Sequence, residues 1–263
     1  MKIVRTGNSN GPVMAVLASM DEELPRTRNL VGELQRYGID SLIVVDSGPE
    51  FKFARSMNAG IREALSLEHV RQIILSNDDV SNVQGIGSMI HFLENEICDY
   101  ATPCVNGKTP GVSFTNSPLR AMINYTVTKK APFFPLRIMR MTRPYAKNKK
   151  VYISMPVFFS RTVVSVMPFC MFNRNVLEAH MFDEEYHNGV EDDDLAYRLW
   201  YDGFRGGTSK MWNVHHTSGA SFKSMRPKGN NESIYGSNEQ TARNSARFSD
   251  KFYFNPDEEY QSS

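Results

Sequence analysis

Between residues 13 and 75 three short, almost wholly apolar runs alternate with two amphipathic stretches, and few folds accommodate that pattern. VMAVLA (13–18) is a continuous apolar run of strand length, suited to a parallel strand buried on both faces. In RTRNLVGELQRYG the apolar positions Leu30, Val31, Leu34 and Tyr37 recur at three- and four-residue spacing, and Gly38 supplies a helix stop. SLIVVDSG reads as a second buried strand ending in an acid and a turn. FARSMNAGIREAL then places Ala54, Met57, Ile61 and Leu65 on one helical face, and QIIL (72–75) forms a third strand that runs into SNDDV. This βαβαβ order predicts an α/β fold with a mostly parallel sheet flanked by helices, whose ligands bind beyond the carboxyl ends of the strands. Asp46, and Asp78 with Asp79, lie at those ends. SMDEEL follows the first strand where a dinucleotide-binding dehydrogenase needs GxGxxG, so that class does not fit.

The 263 residues are 41% apolar and 11% aromatic, enough for a substantial core and unlike disordered, collagenous or coiled-coil chains. Thirty basic residues against 29 acidic give a net charge of +1, which argues against a generic polyanion binder. Three cysteines, odd in number and without a CxxC pair, fit a reducing compartment, so a cytoplasmic location is expected. No signal peptide is expected from the first 24 residues. Without 18 consecutive apolar residues no integral membrane segment is expected, and any membrane contact should be peripheral.

Residues 95–160 carry prolines, basic residues and short extended runs such as YISMPVFF, with no decisive period. Within them, 129–150 holds eight Lys or Arg and no acid, read either as a solvated hairpin or as an anion-facing loop. The pattern sharpens again at EDDDLAYRLWYDGF, a predicted helix beginning at its acids, with Leu195 and Leu199 on one face and Gly203 ending it. The N–H groups and dipole at a helix start favour ionised carboxylates, and one such group aimed at a hydroxyl can serve as a general base. KMWNV is a predicted strand leading into His215 and His216. Clustered carboxylates after strands, with a later histidine, suit a hard divalent cation, Mn²⁺ or Mg²⁺, completed by phosphate oxygens. Asp79 and His215 are its candidate ligands, and the spacing matches neither a zinc site nor an EF-hand.

Taken in order, VVDSG, FARSMNAGI, ILSNDDV, CMFNRNVLEAHMFDEEY, EDDDLAYRLWYDGF and VHHTSGAS resemble the family 2 glycosyltransferases with the GT-A (Rossmann-like) fold, especially rhamnosyltransferase-like members. EDDDL is also similar to the acidic segment of β-1,4-galactosyltransferases. The resemblance covers about 13–80 and 162–221. It implies a single GT-A domain over 1–223, with a nucleotide-binding half (1–80) and an acceptor half (81–223); the polar, Asn/Ser-rich 224–263 reads from its own residues as a C-terminal arm with a helix expected at EQTARNSARFSDKFYF.

The resemblance also implies roles. Asp46 would contact the base or ribose, Asn58 would approach the nucleotide and Arg55 the diphosphate. SNDDV stands at the DxD position, so Asp79 would hold the metal and Asp78 the sugar nucleotide, with Asn77 replacing the first acid. Asp192 would be the catalytic base, Glu191 and Asp193 would contact the acceptor, and His215 would be the late metal ligand, with adjacent His216 as the alternative. The first strand ends in ASMDEE where the family has threonine-tyrosine-asparagine, and Ser19 is the nearest counterpart for a nucleotide contact. The expected activity is metal-dependent, inverting transfer from a UDP, dTDP or GDP sugar to a glycan or another hydroxyl-bearing acceptor. Two alternatives differ in class: a GT-A-like protein that binds nucleotide sugar or glycan without transfer, and an enzyme whose acceptor is modified nucleic acid held by the basic 129–150 stretch.

Overall fold

A computed structural model describes residues 1–7, 10–46, 51–108, 165–217, 243–244, 246–248 and 251. The basic 129–150 stretch, the YISMPVFF run and most of the 224–263 arm lie outside the described residues.

The alternation of the first 80 residues is present as read. β2 (Val13–Ser19), α1 (Pro25–Gln35), β3 (Asp40–Val45), α2 (Phe53–Ser66) and β4 (Gln72–Asn77) follow β1 (Lys2–Thr6). β5 (Val80–Gln84), α3 (Ile86–Glu94), β6 (Tyr100–Ala101) and β7 (Cys104–Val105) come next. After the central segment come β8 (Phe169–Asn173), α4 (Arg174–Ala179), α5 (Glu191–Tyr201), β9 (Gly206–Gly207) and β10 (Asn213–His216). Seven strands form one sheet in the order β1-β3-β2-β4-β8-β6-β9, and β5-β10-β7 form a second. β3, β2 and β4 are parallel, whereas β1 and β8 run antiparallel to their neighbours, so the sheet is mixed around a parallel centre. The result is a single α/β domain with helices on the sheet.

β2 is buried along its whole length, which is why it lacks polar alternation. Its side chains divide by parity: Met14, Val16 and Ala18 face Ala54, Met57, Ile61 and Ala64 of α2, while Val13, Ala15 and Leu17 share a cluster with Leu30, Val31 and Leu34 of α1. Gly60 lets α2 lie close to the sheet, because a Cβ there would meet Val16 Cγ1 at 2.3 Å and Val44 Cγ2 at 2.8 Å. Pro25 opens α1, and Gly38 (φ 72°) turns the chain toward β3 while the Ile39 N–H donates back to the Leu34 carbonyl at 3.2 Å. Tyr37 departs from the predicted face: α1 ends at Gln35, and Tyr37 sits exposed in the turn with its hydroxyl on the Val83 carbonyl at 3.3 Å.

The predicted KMWNV strand begins later than read, at Asn213, and itself contains both histidines. Cys98, Cys104 and Cys170 are buried free thiols, and burial pushes Cys98 up to about 12. Among the described residues no helix is long and apolar enough to cross a membrane.

Candidate active site

Parallel strands end together, and the sheet register gathers the sequence's acids at one edge. Ser19 pairs with Val45 and Ala18 with Asn77, so Ser19, Asp46 and the Asp78–Asp79 turn leave neighbouring strands at the same level. All four of these polar residues are buried. A carboxylate keeps its charge in such a place only if it is paired or hydrogen-bonded.

Asp78 Oδ2 accepts from Ser19 Oγ at 2.7 Å and from Thr27 Oγ1 at 3.4 Å, and lies 3.1 Å from Arg26 Nε. Ser19 and Thr27 are also in contact, at 3.0 Å between hydroxyls. Asp46 Oδ2 accepts from Arg55 Nη2 and Ser56 Oγ, both at 3.0 Å, which joins the end of β3 to the first turn of α2. Arg55 is thus held on Asp46. Next to these groups, at the end of β4, the buried Asn77 Oδ1 meets no hydrogen-bond partner among the described residues. A buried acceptor left this way is an opening for a ligand hydroxyl or amine.

Asp79 continues directly into β5, and β5 pairs antiparallel with β10 so that His216 stands opposite Val80 and His215 opposite Ser81. The Thr217 N–H donates to the Asp79 carbonyl at 3.1 Å. His216 Nε2 lies 3.1 Å from Asp79 Oδ1, with both side chains largely buried. His215 is exposed on the other face, since successive strand side chains alternate. Of the two histidines that the sequence offers as metal candidates, His215 and His216, it is His216 that faces Asp79. No group of three or more His, Cys, Asp or Glu side chains suited to a metal occurs among the described residues. Asp79 and His216 do fit a divalent cation that takes two protein donors and completes its shell with phosphate oxygens and water.

The second acidic group opens α5. Its first turn holds Glu191, Asp192, Asp193 and Asp194, and the Asp194 N–H donates to the Val190 carbonyl at 2.8 Å. Val190 has no side-chain acceptor for the helix start, so the acids themselves meet the exposed N–H groups and the dipole. Glu191 turns back and accepts from the Gly189 N–H. Burial and the Asp192 charge push its carboxyl up to about 7. Burial also raises Asp192, opposed by the backbone N–H groups of the first turn. Asp193 is half-buried in the same turn.

Asp194 serves the interior instead: fully buried, it accepts from Arg198 Nε and Lys251 Nζ at 2.7 Å each and from the Tyr186 hydroxyl at 3.2 Å. Burial and the Asp194 charge raise the Tyr186 phenol, which keeps it a donor.

The segment before α5 ties this group to α2. Asn58 donates to the Phe182 carbonyl at 2.9 Å and Glu184 Oε1 at 2.8 Å, and accepts from the Phe182 N–H at 3.0 Å. Its whole amide is engaged by the 182–184 loop. Asn188 accepts from the Phe53 N–H at 2.9 Å and donates to the Phe51 carbonyl at 3.0 Å. It caps α2, whose own N-terminal flank, Lys52, makes no side-chain cap. Asn188, Arg26, His216 and Asn244 went unremarked or unresolved in the sequence, though the Asn188-Gly189 dipeptide is a recognisable signal for a turn at positive φ.

No protein-family model matches this chain, and no curated protein matches it in sequence. Among solved structures it is similar at 11% identity to A197 from STIV, with 78% of this chain and 84% of that one covered and a TM-score of 0.46. It is likewise similar at 11% identity to GalNAc-T7 solved with UDP, GalNAc and Mn²⁺, with a TM-score of 0.49; 90% of this chain is covered, and about half (47%) of that one. A Drosophila β1,4-galactosyltransferase 7 mutant in complex with manganese, UDP-Gal and xylobiose is similar at 11% identity over 83% of this chain and 75% of that one, with a TM-score of 0.45.

Proposed function

We propose that the chain is a GT-A glycosyltransferase of the inverting, metal-dependent kind, moving a sugar from a nucleoside diphosphate sugar to an acceptor hydroxyl. The observation that carries this reading is the Asp79–His216 pair, a carboxylate from the end of β4 and an imidazole from the late strand β10 at 3.1 Å, flanked by the buried Asp46 and Asp78 at two strand ends and Ser19 at a third. The resemblance of SNDDV and VHHTSGAS assigns that pair its role, with His216 in place of His215. Ser19, Asp46 and Asp78 would line the nucleotide side, Arg55 would hold Asp46 in position, and Asn58 would set the loop that faces them.

A divalent cation, Mn²⁺ or Mg²⁺, held by Asp79 and His216, would supply charge neutralisation for the departing diphosphate. Asp192 takes the proton of the acceptor hydroxyl, and the oxygen attacks the anomeric carbon from the face opposite the diphosphate, with inversion. Burial raises the Asp192 carboxyl above the ordinary carboxylate range, which makes it a stronger base. Glu191 and Asp193 border the acceptor, and the bond from Gly189 fixes Glu191. No covalent enzyme intermediate is required.

Incubating the chain with UDP, GDP and dTDP sugars and Mn²⁺ tests the proposal. Release of a nucleoside diphosphate that stops on chelation is expected from at least one donor. Mn²⁺-dependent thermal stabilisation by a nucleotide sugar with no release from any of them would instead identify a binding protein.

A further inference from the structure

Residues 188–190 have positive φ angles in succession: Asn188 at 50°, Gly189 at 154° and Val190 at 76°. For a β-branched residue such as Val190 this is a strained conformation, and it persists only where the surroundings over-determine it. Two asparagines do so from opposite sides. On one side, Asn188 is bonded to the backbone of Phe51 and Phe53 at the start of α2. On the other, Asn244, only 4% exposed in the helical part of the C-terminal region, donates to the carbonyls of His187 at 3.1 Å and Gly189 at 2.9 Å and accepts from the His187 N–H at 3.4 Å.

The same C-terminal residues are anchored independently. Arg247 and Lys251 reach Asp183 at 2.9 and 2.8 Å, Lys251 reaches Asp194, and Phe248 packs edge-on against Tyr197 at 6.1 Å. Burial opposes ionisation of Asp183, yet Lys251, the Glu185 N–H and Arg247 together hold its carboxyl well below the usual range. Asn244 therefore acts from a fixed platform.

The strained turn leads directly into the acids. The Gly189 N–H holds Glu191, and the Val190 carbonyl receives the first helical bond from Asp194. We infer that Asn244, and Asn188 opposite it, are positioning residues: they clamp a strained 188–190 turn and so fix where the Glu191–Asp192 carboxylates stand relative to α2 and the nucleotide side. This rests on the proposed transfer reaction for its functional meaning, and the clamp itself is readable without it.

The test uses the full chain with Asn244→Ala, and with Asn244→Asp, which keeps the size and the acceptor but loses both donated bonds. Glu185→Gln serves as control, since it cuts the exposed Arg247–Glu185 ion pair of the same region and leaves the Asp183 anchor and 187–189 untouched. Amide hydrogen exchange at 189–194 is expected to speed up at least about tenfold in both Asn244 variants while α2 keeps its protection. With the sugar nucleotide that the wild type turns over, kcat is expected to fall about tenfold or more and the donor KM to stay within about twofold. Glu185→Gln should do neither. Unchanged exchange at 189–194 in the Asn244 variants overturns the clamp, as does a Glu185→Gln variant that reproduces both effects. If the wild type releases no nucleoside diphosphate from any donor, the transfer reading fails, and the exchange data still decide the clamp.

Discussion

The β2-to-β4 half has a fully buried strand at its centre and the 180–194 segment is mostly half-buried; both carry candidate site acids, and they are held in opposite ways. In the first, position follows from period: β2 residues divide by parity between two apolar clusters, and α1 and α2 present apolar faces at helical spacing. In the second, position follows from polar bonds spanning great lengths of chain, such as Asn58 to Glu184, Asn188 to Phe53 and Asn244 to Gly189. The proposed nucleotide side is thus built on a nondirectional apolar core. The proposed acceptor side hangs on a few directional amides, each of which leaves a buried group unsatisfied when lost.

Breaking the core should have the largest effect. Leu17→Ala, at a fully buried β2 position, is expected to cost about 2–5 kcal/mol of stability. Urea denaturation reads the loss, and a change under about 1 kcal/mol would mean that the sheet tolerates cavities better than its packing indicates.

The acidic turn should respond to pH instead. Because the Glu191 carboxyl rises from 4.5 to about 7 on folding, the folded chain favours its protonated form. The stabilisation from that proton is complete below 4.5, declines as pH rises and is gone above about 7. Glu191→Gln keeps an acceptor for Gly189 and removes the buried charge. Its stability relative to wild type should therefore be higher at pH 8 than at pH 5, by about 1–3 kcal/mol. Equal differences at the two pH values would contradict the buried-acid account.

A smaller, more local contrast separates the two histidines. His216→Ala should weaken Mn²⁺-dependent nucleotide binding by about tenfold or more, whereas His215→Ala, exposed on the other face, should leave it within about twofold. Titration of Mn²⁺ with UDP present distinguishes them, and the reverse order would return the metal site to His215.

The sequence shows the first region almost to the residue, because apolar runs and helical spacing are local properties. β1 escapes this kind of reading: its half-exposed KIVRT has neither an apolar run nor clean alternation, and only pairing with β3 defines it. The two-residue strands β6 and β9 exist through their partners alone. Among candidate site residues, the acids are legible because they follow strands whose ends the register aligns. His216 is not, because strand period places two adjacent histidines on opposite faces without saying which face meets Asp79. Asn58 and Arg55 are legible as polar residues of α2, but their partners, Glu184 with Phe182 and Asp46, are matters of tertiary contact.

The central claim is that Asp192 removes the acceptor proton while the β-strand ends bind the donor. Asp192→Asn, compared with wild type for sugar transfer and for nucleotide-sugar binding in the presence of Mn²⁺, tests it most directly. Transfer is expected to fall by about 10²–10⁴ with donor affinity within about twofold of wild type. A variant that keeps most of its turnover, or loses donor binding in step with transfer, would contradict the assignment.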